Sequence, residues 1–183
     1  MTKWLETHNQ IARTFQEEYE ARLYTHYTVS QFIRERHIAR TTFYNHYPNG
    51  LLEVACYVLQ QQLQPELLAC VAARDWERGL IRYFNYLKQH PSFCENLYRQ
   101  TQRMERHAHM CQEVRLLVGL FCATAQQDLP TAQRQILEAG CSKILIQQTN
   151  DFLEQHAEPD VGQVVATASL LLTGAFKRLQ NAG

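Results

Sequence analysis

TVSQFIRERHIARTTFYNHY, residues Thr28 to Tyr47, carries the local signals for two short helices and the turn between them. Thr28 followed three residues later by Gln31 is a capping box, in which each residue's side chain satisfies the other's free backbone group, and Tyr27 with Phe32 supplies the apolar staple that sets the angle of entry. A helix therefore starts at Val29. Phe32 and Ile33 fall on its inward side, and Arg34, Glu35 and Arg36 on the solvated one. His37 stands where the chain must turn, and a positive φ at a non-glycine residue is least unusual for Asn, Asp or His. Ile38 plugs the corner and Ala39 opens a second helix. Phe43 and Tyr47, four apart, pack on the first helix, while Arg40, Thr41, Thr42, Asn45 and His46 reach outward. Two short helices about a tight turn, the second with a polar outer face, have the layout that enters a DNA groove.

The segment resembles the DNA-binding module of the TetR family of bacterial transcriptional regulators. Thr28-Val29 opens the second helix of the module and Ile38-Ala39 ends its turn. Arg40, Thr42-Phe43-Tyr44 and His46-Tyr47 then fall where that family has its Thr-aromatic-Tyr-x-His-aromatic run. The chain departs from the pattern at Thr41, where the family usually has glycine, and at His37, which replaces the turn glycine. Pro48-Asn49-Gly50-Leu51 is a shorter entry to the fourth helix without the usual lysine, and it leaves Asn49 as the expected cap. The resemblance implies that Tyr44 and His46 hold phosphates and so set register, with Thr28 counted among the DNA-contacting residues. In the major groove Arg40 would pair with guanine, Thr41 and Thr42 would touch a thymine methyl or a phosphate, and Asn45 would pair with adenine.

With 183 residues the chain is long enough to bury a core. Its 18 basic and 18 acidic residues balance, so total charge argues for neither a polyanion partner nor an acidic substrate. Local charge differs: residues 28 to 50 carry Arg34, Arg36 and Arg40 against Glu35 alone, whereas the rest of residues 1 to 63 is acidic. Weak nonspecific affinity and dependence on a dimer follow. Cys56, Cys70, Cys94, Cys111, Cys122 and Cys141 show no Cys-x-x-Cys spacing and mostly fall in apolar helical stripes, as reduced core residues do, which implies a cytoplasmic chain. MTKWLETHNQ lacks an apolar signal region, and the uncharged run from Val161 to Phe176 is interrupted by Gln163, Thr167, Ser169 and Thr173, so neither export nor membrane insertion is expected.

Glycine and proline are too scarce for a sandwich or barrel, and the expected class is all-α: a three-helix module over residues 1–63 joined to a helical bundle over 64–183. The first helix is expected from Leu5 to Leu23, with Ile11, Phe15, Tyr19 and Leu23 on one face. Leu51 to Leu63 forms a helix that ends before Pro65. From Asp75 the second bundle begins, with Leu80, Tyr83, Phe84, Tyr86 and Leu87 inward and a stop at His90-Pro91. Ser92 and Glu95 form another capping box, starting a short helix through Phe93, Leu97 and Tyr98. Longer helices follow over Met104 to Gln126, Thr131 to Gln155 and Asp160 to Asn181.

The last helix is apolar enough to be either core or half of a subunit interface, and its sequence leaves both open. The resemblance favours an interface, because TetR-like proteins dimerise through a four-helix bundle of their last two helices, and Ala139-Gly140-Cys141-Ser142 resembles the small-residue stretch found there. A dimer would set two recognition helices roughly 34 to 36 Å apart to read a palindrome. The resemblance also implies an effector pocket in the bundle. Tyr83, Tyr86, Phe93, Tyr98, Met104, His107, Cys111 and Phe121 would be its walls, although such aromatic and Met stripes are more often core than cavity.

In HAHMC only His107 and Cys111 share a helix face, short of the three or four ligands zinc needs, so neither metal nor cofactor is expected. The chain has no Gly-rich phosphate loop, Gly-x-Ser-x-Gly turn or His-Glu-x-x-His helix, and an enzyme is not expected. The expectation is a dimeric repressor of palindromic operator DNA released by a small-molecule effector. The alternative is a protein of the same fold that contacts a protein partner through the same polar helix.

Overall fold

A computed structural model describes residues 2 to 100, 111 to 125 and 131 to 180. Among the described residues the chain is all-α, with α1 (Lys3–Ala21), α2 (Val29–Glu35), α3 (Arg40–His46), α4 (Leu51–Gln62), α5 (Gln64–Ala73), α6 (Trp76–Gln89), α7 (Pro91–Gln100), α8 (Cys111–Ala125), α9 (Thr131–Glu154) and α10 (Val161–Gln180).

Thr2 starts α1 by accepting from the Leu5 N–H, and Ile11, Phe15 and Tyr19 lie buried along it. The helix does not reach Leu23, which is 44% exposed. Its end is set from far along the chain. Asn96 of α7, fully buried, donates from Nδ2 to the carbonyls of Tyr19 (2.9 Å) and Arg22 (2.8 Å) and accepts from the Tyr24 N–H at 2.7 Å. Those bonds satisfy backbone groups that a continuing helix would have paired internally.

The capping box at Thr28 forms with both of its bonds, and Tyr27 meets the Phe32 ring edge-on at 6.4 Å. His37 has φ 52°. Its N–H donates to the Arg34 carbonyl (3.4 Å) and that of Ile38 to the Ile33 carbonyl (2.8 Å), the paired bonds of a left-handed helix stop. Asn49 does not cap α4. Gly50 does, at φ 90° where a side chain would be strained, while Glu53 reaches back to accept the Asn49 N–H at 2.8 Å.

Helix α5 is an element that the sequence reading did not include. It follows α4 after Leu63, with Pro65 in its first turn, where a missing N–H costs nothing. The Asp75 side chain caps α6 by accepting from the Arg78 N–H, and Leu80, Tyr83, Phe84, Tyr86 and Leu87 are all buried as expected. Because α7 already begins at Pro91, Ser92 lies inside the helix and the expected box with Glu95 is not made. The Glu95 carboxylate instead holds Arg99 and His156. The N-terminal part of the expected Met104 to Gln126 helix lies outside the described residues. Helices α9 and α10 match the expected spans to within a residue, and His156 and Ala157, both left-handed, make the turn after α9.

In the packed molecule α1 lies on α4 and α7, α6 lies among α5, α8 and α10, and α9 pairs with α10 and α8. At Gly79 a Cβ would stand 2.9 Å from Leu117 Cδ2, so a side chain there would require the tip of Leu117 to shift where α6 meets α8. Phe93 of α7 packs edge-on to Phe15 of α1 at 6.3 Å and sits 6.1 Å from Tyr19, making one apolar core through both ends of the molecule. The thiols of Cys70, Cys94, Cys122 and Cys141 are free and buried, and Cys56 is partly buried.

Candidate nucleic-acid interface

The outward face of α3 carries Arg40, Thr41, Tyr44 and Asn45, all exposed, above the buried Phe43 and Tyr47. Phe43 is anchored edge-on to Phe32, and the Tyr47 hydroxyl donates to the His8 carbonyl at 3.0 Å, so the helix is fixed on α1 and α2 by its inner side. The Arg40 guanidinium lies 5.5 Å from the centre of the Tyr44 ring, a cation–π pair that pre-orders both side chains. Thr42 is half-buried because it lines an open cleft of about 610 Å³ between α1 and the turn, together with Thr7, Gln10 and His37. The Thr28 hydroxyl is committed to its cap, accepting from the Gln31 N–H and donating to Gln31 Oε1.

Arg34, Arg36 and Arg40 are exposed as the sequence suggested, but Arg36 is not free of partners. Glu18, 4% exposed on α1, pairs with Arg36 at the end of α2 and with Arg22, and it accepts from the Tyr24 hydroxyl. Arg22 also reaches Glu35, which accepts from the Tyr27 hydroxyl at 2.9 Å. Arg34 and Arg40 form no ion pair among the described residues, and they supply the free positive charge of this face.

His46 is placed differently from the expectation of a freely projecting side chain. It is half-buried at the end of α3, its ring 4.8 Å from Trp4 and 5.6 Å from His8. His8 is itself stacked between Trp4 (4.8 Å) and Tyr47 (4.3 Å), with Tyr57 edge-on at 4.4 Å. Burial, and then the His46 charge, push His8 below the ordinary histidine value, against a smaller upward pull from Glu53. Among the described residues the Nδ1 atoms of both His8 and His46 are buried without a hydrogen-bond partner. Sequence reasoning missed Trp4 and His8, although a period already visible in Ile11, Phe15 and Tyr19 runs back through them.

Among the described residues read as pocket walls, Tyr83, Tyr86, Phe93 and Phe121 are core residues and Tyr98 packs against that core. The Tyr83 hydroxyl is bonded to Thr149 Oγ1 at 3.1 Å, that of Tyr86 donates to Gln62, and that of Tyr98 donates to Glu154 at 2.8 Å. Phe93 faces α1, and Phe121 packs on Trp76. Met104, His107 and the side chain of Cys111 lie outside the described residues. A group that the sequence did not single out is Glu113, 4% exposed, whose carboxyl burial pushes up. Its charge would also raise the Cys56 thiol and the Tyr83 and Tyr86 hydroxyls, so it sits among α4, α6 and α8. Among the described residues no three metal-ligating side chains gather, and no helix is long and apolar enough to cross a membrane.

Among the described residues, ten helices in this order, with a helix-turn-helix in second and third place, make a TetR-like all-α fold. The chain is similar in structure to the dihydroxyacetone kinase operon activator DhaS, with a TM-score of 0.66 at 15% identity over 93% of this chain and 96% of that one. No family model and no curated protein sequence matches it.

Proposed function

We propose that the protein is a transcriptional regulator that binds palindromic operator DNA as a homodimer, residues 1–63 contacting DNA and residues 64–183 dimerising and sensing a small-molecule effector. The observation that carries this reading is the division of α3 into a buried inner side, Phe43 and Tyr47, and an exposed outer side, Arg40, Thr41, Tyr44 and Asn45. Arg40 and Asn45 read bases, Thr41 and Thr42 touch a thymine methyl or a phosphate, and Tyr44 and His46 set register on the backbone, while Thr28 serves the interface by capping α2. Dimerisation through α9 and α10 is supported by Leu170 at 74%, Ile136 at 61% and Leu171 at 43% exposure. A Cβ at Gly140 or Gly174 would meet nothing within 4 Å, which leaves room for a partner's close approach. Effector binding lowers operator affinity by favouring a bundle geometry in which the two α3 helices no longer match successive grooves. The protein acts as a repressor where its operator overlaps a promoter. DhaS is by name an activator, and the sign depends on operator position as well as on the protein.

Selection of bound fragments from random duplex DNA by the purified protein tests this directly: an enriched inverted repeat is expected, and no enrichment at low salt would refute it. Capture of Arg36 by Glu18 favours a second reading, in which this helix contacts a protein partner. Salt separates the two, because DNA affinity falls steeply as counterions are released and contact with a neutral partner does not.

A further inference from the structure

We propose that the cleft between α1, the entry to α2, α4 and α7 is a binding site for a small uncharged molecule of two fused rings carrying one hydrogen-bond acceptor, which the Tyr19 hydroxyl meets. The cleft measures about 340 Å³, and its walls include Phe15 and Tyr19 of α1, Tyr27, Ala55 of α4 and Leu97 of α7. Phe15, Tyr19, Tyr27 and Ala55 are buried, and the Tyr19 ring lies 4.1 Å from that of Phe15 and 6.0 Å from that of Tyr27, so three neighbouring rings contribute to the wall. A cavity of about 150 Å³ takes one benzene ring, and this cleft has room for two fused rings with a short substituent. No Asp, Glu, Lys, Arg or His is among the described residues that line it, so a charged guest would lose its water without gaining a counter-ion.

Tyr19 supplies the polar contact. It is 3% exposed, yet its hydroxyl makes no hydrogen bond among the described residues, whereas that of Tyr27 donates to Glu35 at 2.9 Å. Unlike Nδ1 of His8 and of His46, the Tyr19 oxygen is not sealed by protein, so a guest can reach it. Burial, and then the neighbouring Tyr24, push this hydroxyl well above the ordinary tyrosine value, so near neutral pH it keeps its proton and donates. A ketone or ester oxygen is a neutral, compact acceptor that answers such a donor. None of the residues read as effector-pocket walls lines this cleft, which makes it a separate site that stands independently of the DNA-binding reading. It also sits beside Asn96 in sequence and space: Leu97 lines it, while the Asn96 carboxamide holds the Tyr19 carbonyl. A guest there touches α1, α4 and α7 at once.

The test is equilibrium dialysis of the full-length protein against 2-acetylnaphthalene, against 2-ethylnaphthalene, which has a methylene in place of the carbonyl, and against 2-naphthoate. The ketone should bind saturably, and the carboxylate more weakly than the ketone. Tyr19→Phe keeps the ring and the backbone carbonyl that Asn96 holds, and it removes only the donor. It should weaken the ketone by about threefold or more and leave 2-ethylnaphthalene unchanged. Leu97→Trp, which fills the cleft from α7, should abolish saturable ketone binding while the helical circular dichroism of the parent is kept. No saturable uptake of the ketone by the parent, equal effects of Tyr19→Phe on ketone and hydrocarbon, tighter binding of the carboxylate, or full ketone binding in a folded Leu97→Trp would each overturn the proposal. Should Leu97→Trp lose its fold, the contrast between the two naphthalenes in Tyr19→Phe decides.

Discussion

The backbone N–H of Tyr24 donates to Oδ1 of Asn96 at 2.7 Å, joining positions 72 residues apart. The same carboxamide serves the carbonyls of Tyr19 and Arg22, so one buried side chain ends α1 and fastens it to α7. Asn96→Ala strands three backbone groups and should cost about 3 kcal/mol in urea unfolding. Asn96→Asp, which turns acceptors toward two carbonyls, should cost at least as much. A loss below about 0.5 kcal/mol in either would show that water replaces the bonds.

His37 holds a left-handed conformation at φ 52° while remaining exposed, so its side chain adds little packing to offset the strain. His37→Gly should raise stability by about 0.5 to 1 kcal/mol, the relief of Cβ strain exceeding the entropy glycine gains when unfolded. A drop in melting temperature would instead assign the His37 ring a stabilising contact.

The Arg40 guanidinium stacks on Tyr44, and the two substitutions should separate base reading from anchoring. Arg40→Ala should cost about 1 to 3 kcal/mol on the preferred duplex and relax one base position. Tyr44→Phe should weaken all sequences alike by removing a phosphate donor while keeping the stack. Equal losses on every duplex for Arg40→Ala would remove that residue from base reading.

Leu170, the most exposed large apolar side chain among the described residues of α10, lies where the proposed subunit contact would cover it. Leu170→Arg should give a folded monomer by sedimentation velocity, with the helical circular dichroism of the parent and no tight binding to a palindrome. A dimer of unchanged stability would place the interface elsewhere.

Burial raises the Glu113 carboxyl above 4.5, so the folded protein binds a proton there more readily than the unfolded chain does. Sign follows from that difference: this group's unfavourable contribution is absent below the unfolded value and grows as pH rises through the folded one. Glu113→Gln should therefore be more stable than the parent at neutral pH, with the gap closing as pH falls toward 4.5. A gap independent of pH would mean that the carboxylate finds a compensating partner.

The sequence made the turn motif legible to the residue because every determinant is local: Thr28 and Gln31 are one turn apart, and the left-handed stop needs only His37. Elements shaped by distant partners were less accessible. Leu23 continues the stripe of α1 on paper, yet Asn96 ends that helix at Ala21. Ser92 and Glu95 have the spacing of a cap, but Glu95 is drawn to His156, 61 residues on, at 3.2 Å. Within the candidate site the exposed residues of α3 were readable from helical period alone. The setting of His46 was not, since it depends on Trp4 and His8 from another helix.

Four thiols of this bundle are both enclosed and reluctant to ionise, with Cys122 pushed up to about 11 and Cys141 to about 12 by burial. The thiolate is the nucleophile that adds to maleimide, so a closed molecule near neutral pH offers the reagent very little at these positions. Labelling there becomes a clock for the opening of individual helices. Mass spectrometry of timed samples can thus rank which of the C-terminal helices loosen first, and whether an added small molecule slows them.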